Sequence, residues 1–179
     1  MTLNWHWGYN KSDQNWKSSG TMLRNLIDIV SKGGNYLLNI GPTGEGVIPE
    51  PCVERLKAVG AWMKVNGEAI YGTGPTPFGA EAGLFDPEKK DKNGKPLFIP
   101  AWVWRCTTKP GKLYIHIFQW PSTGKFELPA VKNTITKAYL LADPQKAALK
   151  VTLTGTGVVT ALPAQAPDPI ASVVCFDLK

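Results

Sequence analysis

The sequence has few of the residues that most metal and redox sites use. Among 179 residues there are 3 Cys and 2 His. Cys52, Cys106 and Cys175 lack metal-like spacing, and their odd number leaves at least one unpaired. We therefore expect no metal site and no cofactor, and we expect the three thiols to be small buried apolar side chains.

Long apolar runs are also missing. The longest, such as Tyr36–Leu38 and Ala138–Ala142, fall far short of the ~20 residues that a membrane span needs. Residues 1–7 have neither the basic start nor the apolar run of a secretory leader, so any export signal is expected to have been removed or to lie outside this chain. Gly41–Gly46 lacks the lysine and the helix start of a phosphate-binding loop.

Acidic residues are outnumbered, with 14 Asp and Glu against 20 Lys and Arg and a formal charge of +6. The basic residues are mostly scattered lysines, which argues against nucleic-acid binding. Hydrophobic residues make up 43% and charged residues 19%, typical of a chain that folds into one ordinary domain or two small ones.

The first half of the chain alternates helical and strand patterns. Leu23, Leu26, Ile27 and Val30 recur at helical spacing after Ser18 or Ser19, which can cap the helix. The apolar run 35–40 then predicts a buried parallel strand. A second helix is predicted after Pro49-Glu50-Pro51 and ends at Asn66-Gly67. One apolar face of that helix is predicted to carry Val53, Leu56, Val59, Gly60 and Met63.

The second half consists almost entirely of short strand patterns at the spacing of an antiparallel sandwich. They cover residues 102–106, 113–120, 125–128, 135–142, 149–153, 157–162 and 171–178. Between the halves lies a stretch rich in Gly, Pro and charge, in which residues 88–95 are predicted to be a solvated loop. The sequence thus predicts an α+β chain with domain boundaries at 1–74, 75–101 as a linker, and 102–179 as a β-sandwich.

Tryptophans are the most suggestive chemical feature, at 7 in this chain. Trp5, Trp7, Tyr9 and Trp16 cluster near the start, and flat apolar rings suit the C–H faces of sugars, although core packing explains such clusters equally well. His6 lies between two of these tryptophans. His116 lies inside a predicted strand, where a structural role with a satisfied hydrogen bond is the favoured interpretation.

Several motifs together resemble the α-L-fucosidases of glycoside hydrolase family 29. They are Trp7-Gly8-Tyr9-Asn10, the run Leu26 to Pro42, Gly60-Ala61-Trp62, and the run Asn66 to Tyr71. The resemblance is strong over residues 1 to about 78 and weak beyond. It implies that the first half is the C-terminal remnant of a (β/α)8-type barrel, followed by the family's β-sandwich.

The resemblance also implies a retaining exo-glycosidase that removes terminal α-L-fucose and uses two carboxyl groups ~5–5.5 Å apart. In the family both carboxyl groups precede the Trp-Gly-Tyr motif, so we expect no catalytic residue in this chain and both of them upstream of Met1. Trp7 is expected to pack against the fucose ring and its methyl group. Trp5 and His6 are expected at the rim of the same pocket.

Other polar residues are weaker candidates. Asn39 either faces the mouth of the barrel or supports the neighbouring turn. Glu45, Glu50 and Glu68 lie near loops or helix ends, where solvated or capping roles are favoured over catalysis.

A second hypothesis is a non-catalytic carbohydrate-binding or assembly module, with Trp5, Trp7, Trp102, Trp104 and Trp120 as platforms. A third is a purely structural fragment. The expected partner is a fucosylated oligosaccharide or glycoconjugate, with no nucleic acid and no membrane. Self-association is expected from the open edges of the predicted parallel strand. The cellular location is left open.

Overall fold

The first helix forms where the apolar spacing predicts it. The computed structural model describes residues 1–179, and helix α1 spans Ser19–Ser31. The Ser18 side chain caps it by accepting a hydrogen bond from the Thr21 amide at 3.0 Å. The helix ends at Lys32, and Gly33 follows with φ 73°, a left-handed conformation that glycine adopts at little cost.

The second helix, α2, spans Glu50–Asn66 and has Pro51 in its first turn. Its most buried side chains are Cys52, Trp62 and Asn66. Of the predicted apolar face, Leu56, Val59 and Met63 pack only partly buried at its edge. The buried face of α2 therefore differs from the predicted one. The large Trp62 ring occupies the core, and its Nε1 donates to the Ala171 carbonyl at 2.7 Å.

The prediction of a fully buried parallel strand at residues 35–40 is wrong. The segment is extended, but it makes a single parallel bridge, between Thr2 and Asn39. Leu37 is 68% exposed. A fully buried strand needs neighbours on both edges and cover on both faces, and here residues 1–3 pair along one edge only.

Two strands form in the stretch predicted to be a linker. Strands β1 (Gly83–Lys90) and β2 (Pro96–Pro100) make an antiparallel hairpin. The charged run is solvent-exposed as predicted at most of its positions, but its first residues belong to β1. The turn is closed by Asp91, whose side chain accepts hydrogen bonds from the amides of Asn93 and Lys95 at 2.8 and 2.9 Å.

All seven strands predicted in the second half are confirmed. They are β3 (Trp104–Lys109), β4 (Lys112–Ile117), β5 (Lys125–Pro129), β6 (Ile135–Leu140), β7 (Val151–Leu153), β8 (Gly157–Ala161) and β9 (Ser172–Leu178). They form a four-stranded sheet in the order β3-β4-β9-β6 and a three-stranded sheet in the order β5-β8-β7. Every pairing is antiparallel.

The four-stranded sheet is the middle of three layers. Leu113, Ile115 and Ile117 point from β4 into the core shared with the three-stranded sheet. The alternate residue Tyr114 points the other way, into a core that includes Leu23 of α1 and Trp62 of α2. The sheet is therefore covered by helices on one face and by strands on the other.

One buried ion pair joins the helical layer to the sheet. The Arg105 side chain is 1% exposed, and its Nε donates to Asp28 Oδ1 on α1 at 2.5 Å. Its Nη1 donates to the carbonyls of Glu81 and Ala101 at 2.7 and 2.6 Å. Arg105, on β3, thus contacts both α1 and the residues that flank the two ends of the hairpin.

The cysteine prediction is confirmed, because Cys52, Cys106 and Cys175 are all unpaired and buried. Burial raises the pKa of each thiol above its usual range. No helix of the structure is both long and apolar enough to cross a bilayer.

Replacing Arg105 by Met should lower the free energy of unfolding by about 3–5 kcal/mol, because Asp28 Oδ1 and the carbonyls of Glu81 and Ala101 lose the donor that Arg105 supplies. Urea denaturation measures the difference. Lys32 supplies the matched control, since it pairs with the same Asp28 at 2.8 Å but is 44% exposed. Lys32→Met should cost less than about 1 kcal/mol, and equal losses for the two variants would contradict this assignment.

Candidate functional site

An exposed aromatic loop precedes α1. We use this name for residues 4–16. Its three predicted site residues, Trp5, His6 and Trp7, all lie at the surface, and Trp5 and Trp7 are 73% and 58% exposed. Tyr9 adds a third exposed ring, at 47%. Grouped large aromatic side chains that stay in contact with solvent indicate a binding surface rather than a core.

Asp13 organises this loop from beneath. Its Oδ2 accepts hydrogen bonds from the Trp5 amide at 2.9 Å and the His6 amide at 3.2 Å, and it contacts His6 Nδ1 at 2.7 Å. Its Oδ1 accepts from the backbone and side-chain amides of Asn15 at 3.0 and 3.2 Å. Although its carboxylate is 1% exposed, both oxygens are occupied by the loop itself.

These contacts hold the pKa of Asp13 well below its usual range. The hydrogen bond from His6 is the largest cause, desolvation acts in the opposite direction, and the amides of Asn15 and Trp5 lower the pKa further. Sequence reasoning missed Asp13. The available signal was local: a short acid two residues before Asn15, in the position of an Asx turn.

Asn39 supports the loop from the neighbouring extended segment. Its Nδ2 donates to the Trp7 carbonyl at 2.7 Å and to Thr2 Oγ1 at 3.0 Å. Asn39 therefore supports the backbone, but at the Trp7 carbonyl of the aromatic loop rather than at the neighbouring turn. Gly41 allows the same approach, because a Cβ there would lie 3.1 Å from the Gly8 carbonyl carbon and 3.2 Å from the Tyr9 nitrogen.

The three glutamates considered in the sequence analysis make no hydrogen bond to the aromatic loop. Glu45 and Glu50 are exposed, and the hydrogen bond from Thr43 lowers the pKa of Glu45. Glu68 accepts from the Tyr114 hydroxyl at 2.7 Å, in the helix–sheet interface. The aromatic rings of the loop are accessible to a ligand. The Asp13 carboxylate is not, because the loop's own donors occupy both of its oxygens.

His116, Trp104 and Trp120 take structural positions. His116 is fully buried, its Nε2 lies 3.0 Å from Thr107 Oγ1, and burial lowers its pKa to about 3. Trp104 packs edge-on against Phe126 at 5.9 Å between centroids. Trp120 is partly buried and donates its Nε1 to the Pro163 carbonyl at 2.9 Å. The buried strand position of His116 agrees with the structural interpretation, but only Nε2 has a hydrogen-bond partner and Nδ1 has none.

Comparison with known proteins identifies relatives of one kind. The family model described as Alpha-L-fucosidase matches residues 1–68. The tissue alpha-L-fucosidase of Homo sapiens is 32% identical over 177 residues, which cover 97% of this chain and 34% of that protein. The Bos taurus enzyme is 31% identical over 176 residues, again 97% of this chain and 34% of that protein.

Solved structures agree. Alpha-L-fucosidase isoenzyme 1 from Paenibacillus thiaminolyticus superposes with a TM-score of 0.79 at 33% identity, covering 100% of this chain and 39% of that one. The enzyme from Vibrio sp. strain EJY3 gives a TM-score of 0.76 at 29% identity, covering 99% of this chain and 29% of that one. The chain thus spans about a third of the length of the curated relatives it matches.

These relatives are glycoside hydrolases. The chain belongs to the α-L-fucosidase family, glycoside hydrolase family 29, and matches the C-terminal part of its members with a mixed fold of helices and antiparallel sheets.

Replacing Asp13 by Asn should loosen the aromatic loop, because a neutral amide cannot accept all the hydrogen bonds that the carboxylate takes. Hydrogen exchange of the Trp5 and His6 amides, followed by NMR, should speed up roughly ten- to a hundredfold. The control is Asp143→Asn, which removes a similar acid that accepts from the amides of Gln145 and Ala147 elsewhere.

The same amides report the pH dependence. Because the pKa of Asp13 is depressed, its stabilisation is present above the ordinary value of 3.8 and is lost only as the pH falls through the lower folded value. Protection of Trp5 and His6 should therefore persist at pH 3.8. Loss of protection at or above that pH would show that Asp13 does not hold the loop.

Proposed function

We propose that this chain serves as the C-terminal portion of an α-L-fucosidase, a retaining exo-glycosidase that hydrolyses terminal α-L-fucose from glycoconjugates. The observation that carries the proposal is the exposed aromatic loop, fixed by Asp13 and Asn39 within the stretch that the family model matches. The substrate class follows from the activity named for the relatives.

In this proposal the loop supplies one wall of the fucose pocket. Trp7 packs against the C–H face of the ring and its methyl group, and Trp5 and His6 form the rim. The contact between His6 Nδ1 and the Asp13 carboxylate favours the tautomer that carries its proton on Nδ1. His6 Nε2 is then the acceptor nitrogen, and a sugar hydroxyl would replace Asn10 Nδ2, which lies 3.4 Å from it.

The catalytic carboxyl pair is proposed to come from residues outside this chain. A retaining mechanism needs a nucleophile and an acid/base ~5–5.5 Å apart across the bond that is cleaved. Asp13 is unsuited to either role because its oxygens already accept from the backbone and from His6. Binding and bond cleavage are therefore assigned to different parts of the enzyme.

We further propose that residues 1–74 are the end of a (β/α)8-type barrel, 75–101 a connection, and 102–179 the β-sandwich. The order α1, extended segment, α2 supports this, as does the parallel direction of the Thr2–Asn39 bridge. Such a segment lacks neighbours on its free edge, which supports association of isolated chains through exposed Leu37, Val47 and Ile48.

Titration with L-fucose, followed by tryptophan fluorescence, tests the binding wall. The chain should give a saturable change that D-glucose does not produce, and Trp7→Ala should abolish it. Trp120→Phe is the matched control, because it removes a partly buried tryptophan outside the loop and should leave the change intact. A titration without saturation, or one unaltered by Trp7→Ala, would contradict the role of the loop.

Incubation of the same chain with nitrophenyl α-L-fucoside tests the location of the carboxyl pair. No release of nitrophenol is expected. Turnover that survives purification and disappears when one carboxylate of this chain is replaced would show that the catalytic residues lie here instead.

A further inference from the structure

Arg24 is the one arginine of this chain whose side chain makes no hydrogen bond. Arg55 donates to the carbonyls of Lys17 and Pro51 at 2.7 and 2.8 Å, and Arg105 donates to Asp28 and to several carbonyls. Arg24 Nε is buried and unpartnered, and no carboxylate lies within ion-pairing distance of its guanidinium. A buried donor that loses water without gaining an acceptor costs free energy, so it calls for an explanation.

The side chain lines a small cleft. Thr21, Arg24 and Asn25 occur at i, i+3 and i+4 on α1, and this spacing places them on one helical face. Trp102, from the segment before β3, also lines the cleft, which is open to solvent and has a volume of about 190 Å³. This volume lies below the ~300–1,000 Å³ of pockets for drug-sized molecules, so the cleft suits a single small unit.

The aromatic side of the cleft is held rigidly. The Arg105 guanidinium carbon lies 4.9 Å from the centroid of the Trp102 ring, and the Phe118 ring packs against the same indole at 6.0 Å. The guanidinium of Arg24 lies over Phe118, 5.8 Å from its centroid. Both the indole and the guanidinium are therefore positioned before any ligand arrives, which lowers the entropic cost of binding.

The polar groups of the cleft have free capacity. The Asn25 side chain donates only to the Met1 sulfur at 3.1 Å, which leaves its carbonyl oxygen available. The Thr21 hydroxyl shares a 3.0 Å contact with Ser18 Oγ, so it can still bond to a ligand. The cleft thus combines one unpaired guanidinium, one amide, one hydroxyl and one indole.

We infer that this cleft is a second sugar subsite, separate from the aromatic loop, and that it takes a carboxylate-bearing sugar unit of the uronic-acid type. The Arg24 guanidinium binds the carboxylate through paired N–H donors. The indole of Trp102 covers a C–H face of the ring. Asn25 and Thr21 bond to the ring hydroxyls. A neutral sugar would leave the Arg24 charge unsatisfied, and a bare carboxylate would leave the indole uncovered.

The test is an NMR titration that follows the indole N–H resonance of Trp102, with D-glucuronate as the probe. We expect a saturable shift with glucuronate, a much weaker effect with D-glucose, and a much weaker effect with acetate. Arg24→Gln should weaken glucuronate binding at least about tenfold. Lys64→Gln is the charge-matched control, since it removes one positive charge from an exposed position on α2, and should not change the affinity.

Two further variants keep the outcome decisive. Asn25→Ala should weaken binding independently if Arg24→Gln lowers the melting temperature. Trp7→Ala should leave glucuronate binding unchanged, which separates this subsite from the proposed fucose pocket. The inference is overturned if glucuronate gives no saturable shift at Trp102, if Arg24→Gln binds it as well as the parent chain, or if acetate binds equally tightly.

Discussion

The ion pair between Arg105 and Asp28 is the constraint on which the architecture depends. Burying a guanidinium is costly unless its donors are satisfied, and here α1 and both ends of the β1–β2 hairpin provide the acceptors. The Trp102 ring packs over the same guanidinium. The folded state therefore needs helix, hairpin and sheet together, because each supplies part of what Arg105 requires.

The four-stranded sheet contributes to two hydrophobic cores, one on each of its faces. Alternate residues of β4 and β9 enter opposite cores, so the sandwich and the two helices are stabilised by the same strands. Single polar contacts fix the alignment: Trp62 to the Ala171 carbonyl, Thr107 to the Ala69 carbonyl, and Tyr114 to Glu68. The helical layer is thereby held to the sandwich by packing and by hydrogen bonds of defined direction.

The aromatic loop is held in place mainly by hydrogen bonds. Around Trp5, His6 and Trp7 its order comes largely from the Asp13 carboxylate and the Asn39 amide, which bond to backbone groups and to neighbouring side chains. This leaves the rings of Trp5 and Trp7 free to meet a ligand while their backbone stays fixed. In the proposed function such a loop would contribute shape and apolar contact, and other groups would stabilise the charge that develops at the reacting bond.

The sequence by itself determined both helices, a serine cap at Ser18 or Ser19, all seven sandwich strands and the family, because each depends on residue spacing and residue type over short stretches. The structure selects Ser18 as the cap. It did not reveal the β1–β2 hairpin, whose exposed strands lack the alternation that burial imposes. Nor did it reveal Asp13 beneath the loop, or Arg105 at the helix–sheet joint. The contacts of Arg105 and Trp62 were decided only by the tertiary structure, because Arg105 lies 77 residues from Asp28 and Trp62 lies 109 residues from Ala171. Contacts at such separations depend on how whole layers pack, and no local pattern records that.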